Sequence, residues 1–378
     1  MNKKKILYVI SSPDMSSFAT GFMDAVSLSP AIDPYVIIFI EFYDQRNKED
    51  IIIDFNLLSI DYKKVEIIQY SKSKLGIHVF QRKYVNFISS FSKLHQLSIV
   101  HFLTQDTFIA FNLSVFKEMK VYYTVHDLEH HAAKLSILGH LKRYFLLTMK
   151  DKRIIRNVSN LVTSSEHQLE SLKKIYPKKN IYQHNMPSLI TPGIRKGNVK
   201  VKELSGLEDY VLFFGRIEFY KGIELLYKSF IENENLKDVP LVIAGKGNVY
   251  FDRDINKESN IFIINRFISD EEMGDLFSKA KIVVLPYTSA TQSAVTSLSY
   301  YFKKPMIVSN IEGLRDSIID QKTALLFNPK LEKDLDSKIT LLLEDHNLYN
   351  EICLNQIEYE DFFYGLSKLT SDIESIYN

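Results

Sequence analysis

The sequence predicts an α/β protein built from two doubly wound domains. Two observations carry this. Short β-rich apolar runs alternate with segments of helical apolar spacing, the pattern of parallel sheets with helices on both faces. The alternation also falls into two series, which argues for two such sheets in one chain. The first series holds runs at Ile6–Ile10, Tyr35–Ile40, Val65–Tyr70, Ile99–Leu103, Val121–Val125 and Leu161–Thr163. Helical patterns lie between several of them, at Val79–Leu97 and Lys134–Arg156 for example. The second series holds Val211–Phe214, Leu241–Ala244, Ile261–Ile264, Ile282–Leu285 and Met306–Ser309. Each run is long enough for a buried strand and too short for most helices. Between the series, residues 188–209 contain Pro192, Gly193, Gly197 and several lysines without a clear period, and read as a linker. The segment from Leu331 to Tyr377 is helical by pattern.

Composition bounds the function. The chain has 378 residues, 46% hydrophobic and 25% charged, as expected of a globular protein of two domains. Lys+Arg is 47 against Asp+Glu 46, so no global field steers it toward nucleic acid. Its one cysteine, Cys353, precludes an internal disulfide and suits a reducing, cytoplasmic compartment. The basic start Met1–Lys5 is followed by an apolar run of only Ile6–Ile10, which reads as a first strand and not a signal peptide core. No apolar run reaches the roughly 18 residues a membrane span needs.

In open α/β sheets, ligands sit beyond the carboxyl ends of the strands. After Val211–Phe214 come Gly215, Arg216, Lys221 and Gly222, then a helical segment through Ile223, Leu225, Leu226 and Phe230. A glycine that admits a close backbone approach, a planar guanidinium and a lysine ammonium near a helix start suit a diphosphate. A turn carrying two solvated cations is the plainer reading of the stretch taken alone. After Leu241–Ala244 come Gly245, Lys246 and Gly247, glycines that serve either the turn or a ligand's approach. Asn265 and Arg266 follow Ile261–Ile264. After Ile282–Leu285 runs Pro286-Tyr287-Thr288-Ser289-Ala290-Thr291-Gln292-Ser293-Ala294, a hydroxyl-rich loop that opens a helix and suits an anion. In the first series, His126 and Asp127 follow Val121–Val125.

In order and spacing, residues 210–330 resemble the GT-B-fold nucleotide-sugar glycosyltransferases, specifically the large retaining family four. The shared pattern is Gly215-Arg216 followed by Lys221-Gly222, then Ala244-Gly245-Lys246-Gly247. An acidic helix and strand from Asp270 to Pro286 and the hydroxyl loop come next. Lys304-Pro305 with the strand Met306–Ser309, and Gly313-Leu314-Arg315-Asp316, complete it. The first half matches more loosely, mainly at His126-Asp127. One departure stands out. The family's Glu-x7-Glu positions fall here on Ala290 and Leu298, and the loop Ser289-Ala290-Thr291-Gln292-Ser293-Ala294-Val295 resembles a subset that lacks the pair.

The resemblance implies two Rossmann-like domains with a cleft between them. Residues 1–190 would form the acceptor-side domain, 191–209 the linker and 210–350 the nucleotide-sugar domain, with 351–378 returning toward the first. It implies a retaining transfer of a hexose-type sugar from a nucleotide diphosphate sugar to a saccharide or lipid-linked acceptor, in synthesis of bacterial surface polysaccharide or glycoconjugate. His126, Arg216 and Lys221 would be catalytic. Gly215, Gly245, Lys246, Gly247, Arg266, Thr291, Gln292, Ser293, Ala294 and Val295 would bind the donor, and Asp127 and Ser12 would face the acceptor. No cofactor and no metal are implied; Asp252-Arg253-Asp254 is a weak metal-site lookalike of the kind that is usually solvated between elements, and the Glu129-His130-His131 run matches no ligand rule and reads as a local polar loop. Residues 134–156 are basic and amphipathic, and suit either an anionic membrane surface at the inner face or a packed helix with a solvated face. A GT-B subunit with weak or no catalysis, and a sugar-nucleotide epimerase, are the alternative functions.

Overall fold

The structure, a computed structural model, describes residues 3–11, 16–41, 46–70, 76–106, 108–128, 148–331 and 333–378. It divides into two compact units. One comprises residues 1–130, 135–187 and 366–378, the other 131–134 and 188–365.

The first unit holds a seven-stranded sheet of β1 (Lys4–Ile10), β2 (Ile32–Glu41), β3 (Val65–Tyr70), β4 (Ile99–Phe102), β5 (Lys120–Thr124), β6 (Asn160–Thr163) and β7 (Asn180–Gln183). The spatial order is β3-β2-β1-β4-β5-β6-β7, and all pairings are parallel. β1 is apolar on both faces because it lies inside the sheet, with Leu7 opposite Tyr35 on one side and Val100 on the other. Leu7, Val9, Ile37 and Phe39 pack on Tyr84, Val85 and Ile88 of the helix Gly76–Leu94. On the opposite face Tyr8 meets Phe22 of the helix Ser16–Leu28 edge-on, at 5.9 Å between centroids. The last helix, Leu366–Tyr377, packs in this unit too: Thr370 Oγ1 donates to the Ala25 carbonyl at 3.0 Å. β7 was not expected from sequence; its Asn-Ile-Tyr-Gln offers one aliphatic residue, and the sheet edge supplies the rest.

The second unit holds six parallel strands: β8 (Tyr210–Phe214), β9 (Leu241–Ala244), β10 (Ile261–Ile264), β11 (Ala280–Leu285), β12 (Met306–Ser309) and β13 (Leu325–Phe327), in the order β10-β9-β8-β11-β12-β13. β13, only three residues long, was likewise not expected. The strand order reverses at β8, so the crevice outside the β8 and β11 carboxyl ends is where this architecture takes ligands. Residues 188–209, aperiodic by sequence, contain the helix Pro192–Lys196, capped by Thr191, and a 3-10 turn at Lys202–Leu204. Val199 and Val201 donate to the Glu271 carbonyl and to Asp275 at 3.2 and 2.9 Å, which fastens the stretch onto the helix Met273–Ser278. The helical C-terminal pattern resolves into Asp334–Glu344, His346–Tyr364 and Leu366–Tyr377.

Candidate active site

The site in the second unit is built on glycines. β8 ends at Gly215, whose φ of +139° an L side chain rarely adopts. A Cβ there would meet nothing within 4 Å, so the surface above it is open. The neighbouring loops, by contrast, touch backbone to backbone. A Cβ on Gly245 would lie 1.9 Å from the Gly215 carbonyl oxygen, and one on Gly247 would lie 2.2 Å from that of Ile217. Asn265 Oδ1 accepts from the Gly247 N–H at 3.1 Å, and Asn265 Nδ2 donates to the Gly247 carbonyl at 2.9 Å. Gly245 and Gly247 therefore serve close loop packing.

The two cations follow. Arg216 is exposed, with Nη1 3.2 Å from Glu218 Oε1. Lys221 closes a 3-10 turn, Phe219–Lys221, before the left-handed Gly222 that starts the helix Ile223–Glu232. A Cβ on Gly222 would sit 1.9 Å from the Pro286 carbonyl oxygen, so this glycine lets the β8 loop rest on the β11 loop. Thr288 completes the contact, its N–H donating to the Tyr220 carbonyl at 2.8 Å. Lys221 Nζ lies 3.7 Å from the centroid of the Tyr287 ring and 5.0 Å from that of Tyr220. No ion pair to Lys221 forms among the described residues. Burial lowers its ammonium to about 8, with the nearby Tyr220 opposing the shift.

The hydroxyl loop is held from its other side by Gly313, whose Cβ would lie 1.9 Å from the Ala290 carbonyl oxygen. Ser293 caps the helix Ala294–Phe302, its Oγ accepting from the Val295 N–H at 3.3 Å. Tyr287 OH and Ser293 Oγ are hydrogen-bonded at 3.2 Å. Thr291, Gln292 and Ala294 are half-buried, whereas Ser293 and Val295 are buried. Lys246 is exposed, with its carbonyl accepting from the Ile217 N–H at 3.1 Å. Ala290 and Leu298 leave the loop and helix without the two carboxylates, and Leu298 is buried. Glu312 is exposed on the short helix that carries Gly313, next to Ala290; Asp316 is half-buried at its end.

Arg266 has a different role from the one its position after β10 suggested. Its Nε and Nη2 donate to Glu203 at 2.7 and 2.9 Å, and its Nη1 and Nη2 donate to Glu272 at 2.9 and 2.7 Å. This bidentate double clamp fixes the 3-10 turn Lys202–Leu204 beside the helix cap at Ser269–Glu272, so Arg266 is a structural guanidinium. Arg253 pairs with Glu258, and Asp254 caps the turn Ile255–Lys257. Among the described residues, no group of three or more His, Cys, Asp or Glu side chains is placed to hold a metal.

In the first unit, His126 follows β5. Its Nε2–H donates to the Leu103 carbonyl at 2.8 Å, and Phe18 stands edge-on to the ring at 4.6 Å. Burial lowers its pKa, so the ring is held as the neutral Nε2–H tautomer. His126 and Asp127 line a small pocket with Gln105, Tyr123, Asp151 and Ile155. Asp151 accepts from Gln105 Nε2, and from Tyr123 OH at 3.3 Å. Nearby Asp106, fully buried, accepts from Tyr84 OH, and burial lifts its carboxyl to about 7. Sequence alone assigns no functional role to Asp106, Tyr123, Asp151 or Tyr287. Tyr84, Asp106, Tyr123 and Asp151 are spread over 68 residues and share no motif, whereas Tyr287 was visible as the residue after Pro286. Ser12, Glu129, His130, His131 and positions 134–147 lie outside the described residues.

The profile of the family "Glycosyl transferases group 1" matches residues 196–358. An uncharacterized glycosyltransferase of Methanocaldococcus jannaschii is 24% identical over 180 residues, covering 45% of each protein. The chain thus matches under half the length of that relative. Among solved structures, sucrose-phosphate synthase from Thermosynechococcus elongatus aligns at a TM-score of 0.69 with 14% identity, over 99% of this chain and 98% of the other. Anabaena Alr3699/HepE in complex with UDP and glucose aligns at 0.69 with 12% identity, over 99% of each chain. These likenesses show the fold. Residues 196–358 therefore match the glycosyl transferases group 1 profile, in a chain with the α/β GT-B fold.

Proposed function

We propose that this chain is a retaining glycosyltransferase that moves a hexose-type sugar from a nucleotide diphosphate sugar to a saccharide or lipid-linked acceptor, in bacterial surface polysaccharide or glycoconjugate synthesis. One observation carries the reading: a half-buried Lys221, without an ion-pair partner among the described residues, lies at the β8/β11 crevice, in the same turn region as Arg216 and beside the Ser293-capped helix. A desolvated ammonium with no carboxylate in ion-pair contact among the described residues is a site prepared for an anion. The open surface above Gly215 leaves room for it. Breaking the anomeric bond builds negative charge on the departing diphosphate. Arg216 and Lys221 neutralise that charge and the loop Thr291–Val295 frames it, so no metal is required. HepE, of the same fold, is described with UDP and glucose, which agrees with a nucleotide-sugar donor.

His126 serves the sugar and acceptor side. With Nε2–H committed to Leu103, its Nδ1 is the acceptor it presents to a hydroxyl, in a pocket shared with Asp127. The first unit also meets an anionic membrane surface at the cytoplasmic side. Phe111, Val115 and Met149 are exposed, and Arg153 lies over Phe111 with Lys150, Lys152 and Arg156 on the same helix.

The test is a thermal-shift screen with nucleotide diphosphates and their sugars, followed by transfer and donor-hydrolysis assays on the binder. A true donor raises stability by about 2.7 kcal/mol at a hundredfold excess over its dissociation constant. The missing carboxylates at Ala290 and Leu298 favour one second reading, a GT-B subunit that binds donor without turning it over. Binding without transfer or hydrolysis would select it, and epimerised nucleotide sugar would select an epimerase.

A further inference from the structure

We infer that Tyr287 is a positioning residue for the diphosphate: its ring face holds the Lys221 ammonium, and its hydroxyl holds Ser293 at the start of the helix Ala294–Phe302. One side chain thereby sets the spacing between a cation and a helix N-terminus. The inference rests on the diphosphate reading of Lys221.

The geometry is specific. Tyr287 follows Pro286 directly and is fully buried, so its ring cannot swing into solvent. Phe213 of β8 packs against it at 6.5 Å and 64°, which fixes the ring plane. Lys221 Nζ stands 3.7 Å from the ring centroid, within cation–π range. The hydroxyl reaches Ser293 Oγ at 3.2 Å, and that oxygen caps Val295. Burial pushes the phenol up to about 12, so the hydroxyl keeps its proton through the neutral range and remains a hydrogen-bonding partner for Ser293. The backbone around it is equally constrained. Gly222 rests on Pro286, and Thr288 is tied to Tyr220, so the residues flanking Tyr287 are anchored to the turn that carries Lys221. A lysine on a four-carbon stem is ordinarily a mobile charge. Here a π face takes the place of a carboxylate: it orients the ammonium without neutralising it, and the positive charge stays available to phosphate oxygens.

The experiment measures UDP binding and, for the identified donor, kcat and KM, in Tyr287→Leu, Tyr287→Phe, Ser293→Ala and Lys221→Met. Tyr287→Leu keeps apolar bulk and removes the π face. It is expected to weaken UDP binding about 2- to 30-fold, the range of a partly desolvated cation–π contact. Tyr287→Phe keeps the ring and loses the tie to Ser293. It is expected to lower kcat more than it raises KM, and the Tyr287→Phe/Ser293→Ala double variant should be no worse than the poorer single. A folded Tyr287→Leu that binds UDP normally, while Lys221→Met loses binding, overturns the inference and leaves the diphosphate reading standing. If Lys221→Met binds UDP normally, the diphosphate reading itself fails. Should Tyr287→Leu not fold, the double-variant cycle decides, and independent, additive effects at Tyr287 and Ser293 overturn the inference.

Discussion

Donor affinity should fall as pH rises through 8, because Lys221 must be charged to hold a diphosphate and burial has brought its free-state pKa down to about 8. The sign follows from linkage. The bound diphosphate restores the ammonium, so the complex holds more protons than the free protein, and binding weakens where the free lysine is deprotonated. With a free-state pKa of 8 the lysine is about nine-tenths charged at pH 7 and about one-tenth charged at pH 9, so the apparent dissociation constant should rise about tenfold over that interval. At pH 8, binding should take up about half a proton. Isothermal titration of the nucleotide sugar in buffers of different ionisation enthalpy reads both quantities. Lys221→Arg, charged throughout, should flatten the profile and abolish the uptake. A constant affinity from pH 7 to 9 with no proton uptake by the unaltered protein would refute the reasoning.

Arg216→Ala or Lys221→Ala should reduce turnover about 100- to 1000-fold with an unchanged melting temperature, as a lost transition-state donor does; near-normal rates would remove both from the mechanism. Turnover should survive EDTA, and a loss that Mg or Mn reverses would return attention to Asp252 and Asp254. His126→Ala should lower kcat more than nucleotide diphosphate affinity, since it is read as touching only the transferred part; a parallel loss of both, or unfolding, would make it structural. The fold should weaken in acid: burial lowers His101 and His126 below the usual imidazole value and His184 to about 4, so the unfolded chain binds protons first as pH drops below about 6.5. His184→Gln should reduce the slope of melting temperature against pH between 6.5 and 4, and an unchanged slope would show that His184 does not carry it.

Much of the fold is legible without coordinates. β1, β2, β8, β9 and β11 are largely apolar runs, and strands buried on both faces of a parallel sheet have few other compositions open to them. Gly215, Arg216, Lys221 and Gly222 are legible for a related reason: a tight strand-to-helix turn and a phosphate both restrict residue type locally. β7 and β13 are not legible, because three or four residues at a sheet edge gain their conformation from the neighbouring strand. Sequence placed Arg266 among the donor contacts, but only tertiary structure brings Glu203, 63 positions away, onto its guanidinium. The same holds for Tyr287. Its burial under Lys221 and its bond to Ser293 depend on the β8 and β11 loops meeting across Gly222 and Pro286. Sequence by itself determined the two parallel sheets and the chemistry offered at their carboxyl ends, since these depend on local pattern and residue type. Tertiary structure alone decided which of those groups are paired with a carboxylate and which face a ring or open space, because charge partners and desolvation are set by residues distant in the chain.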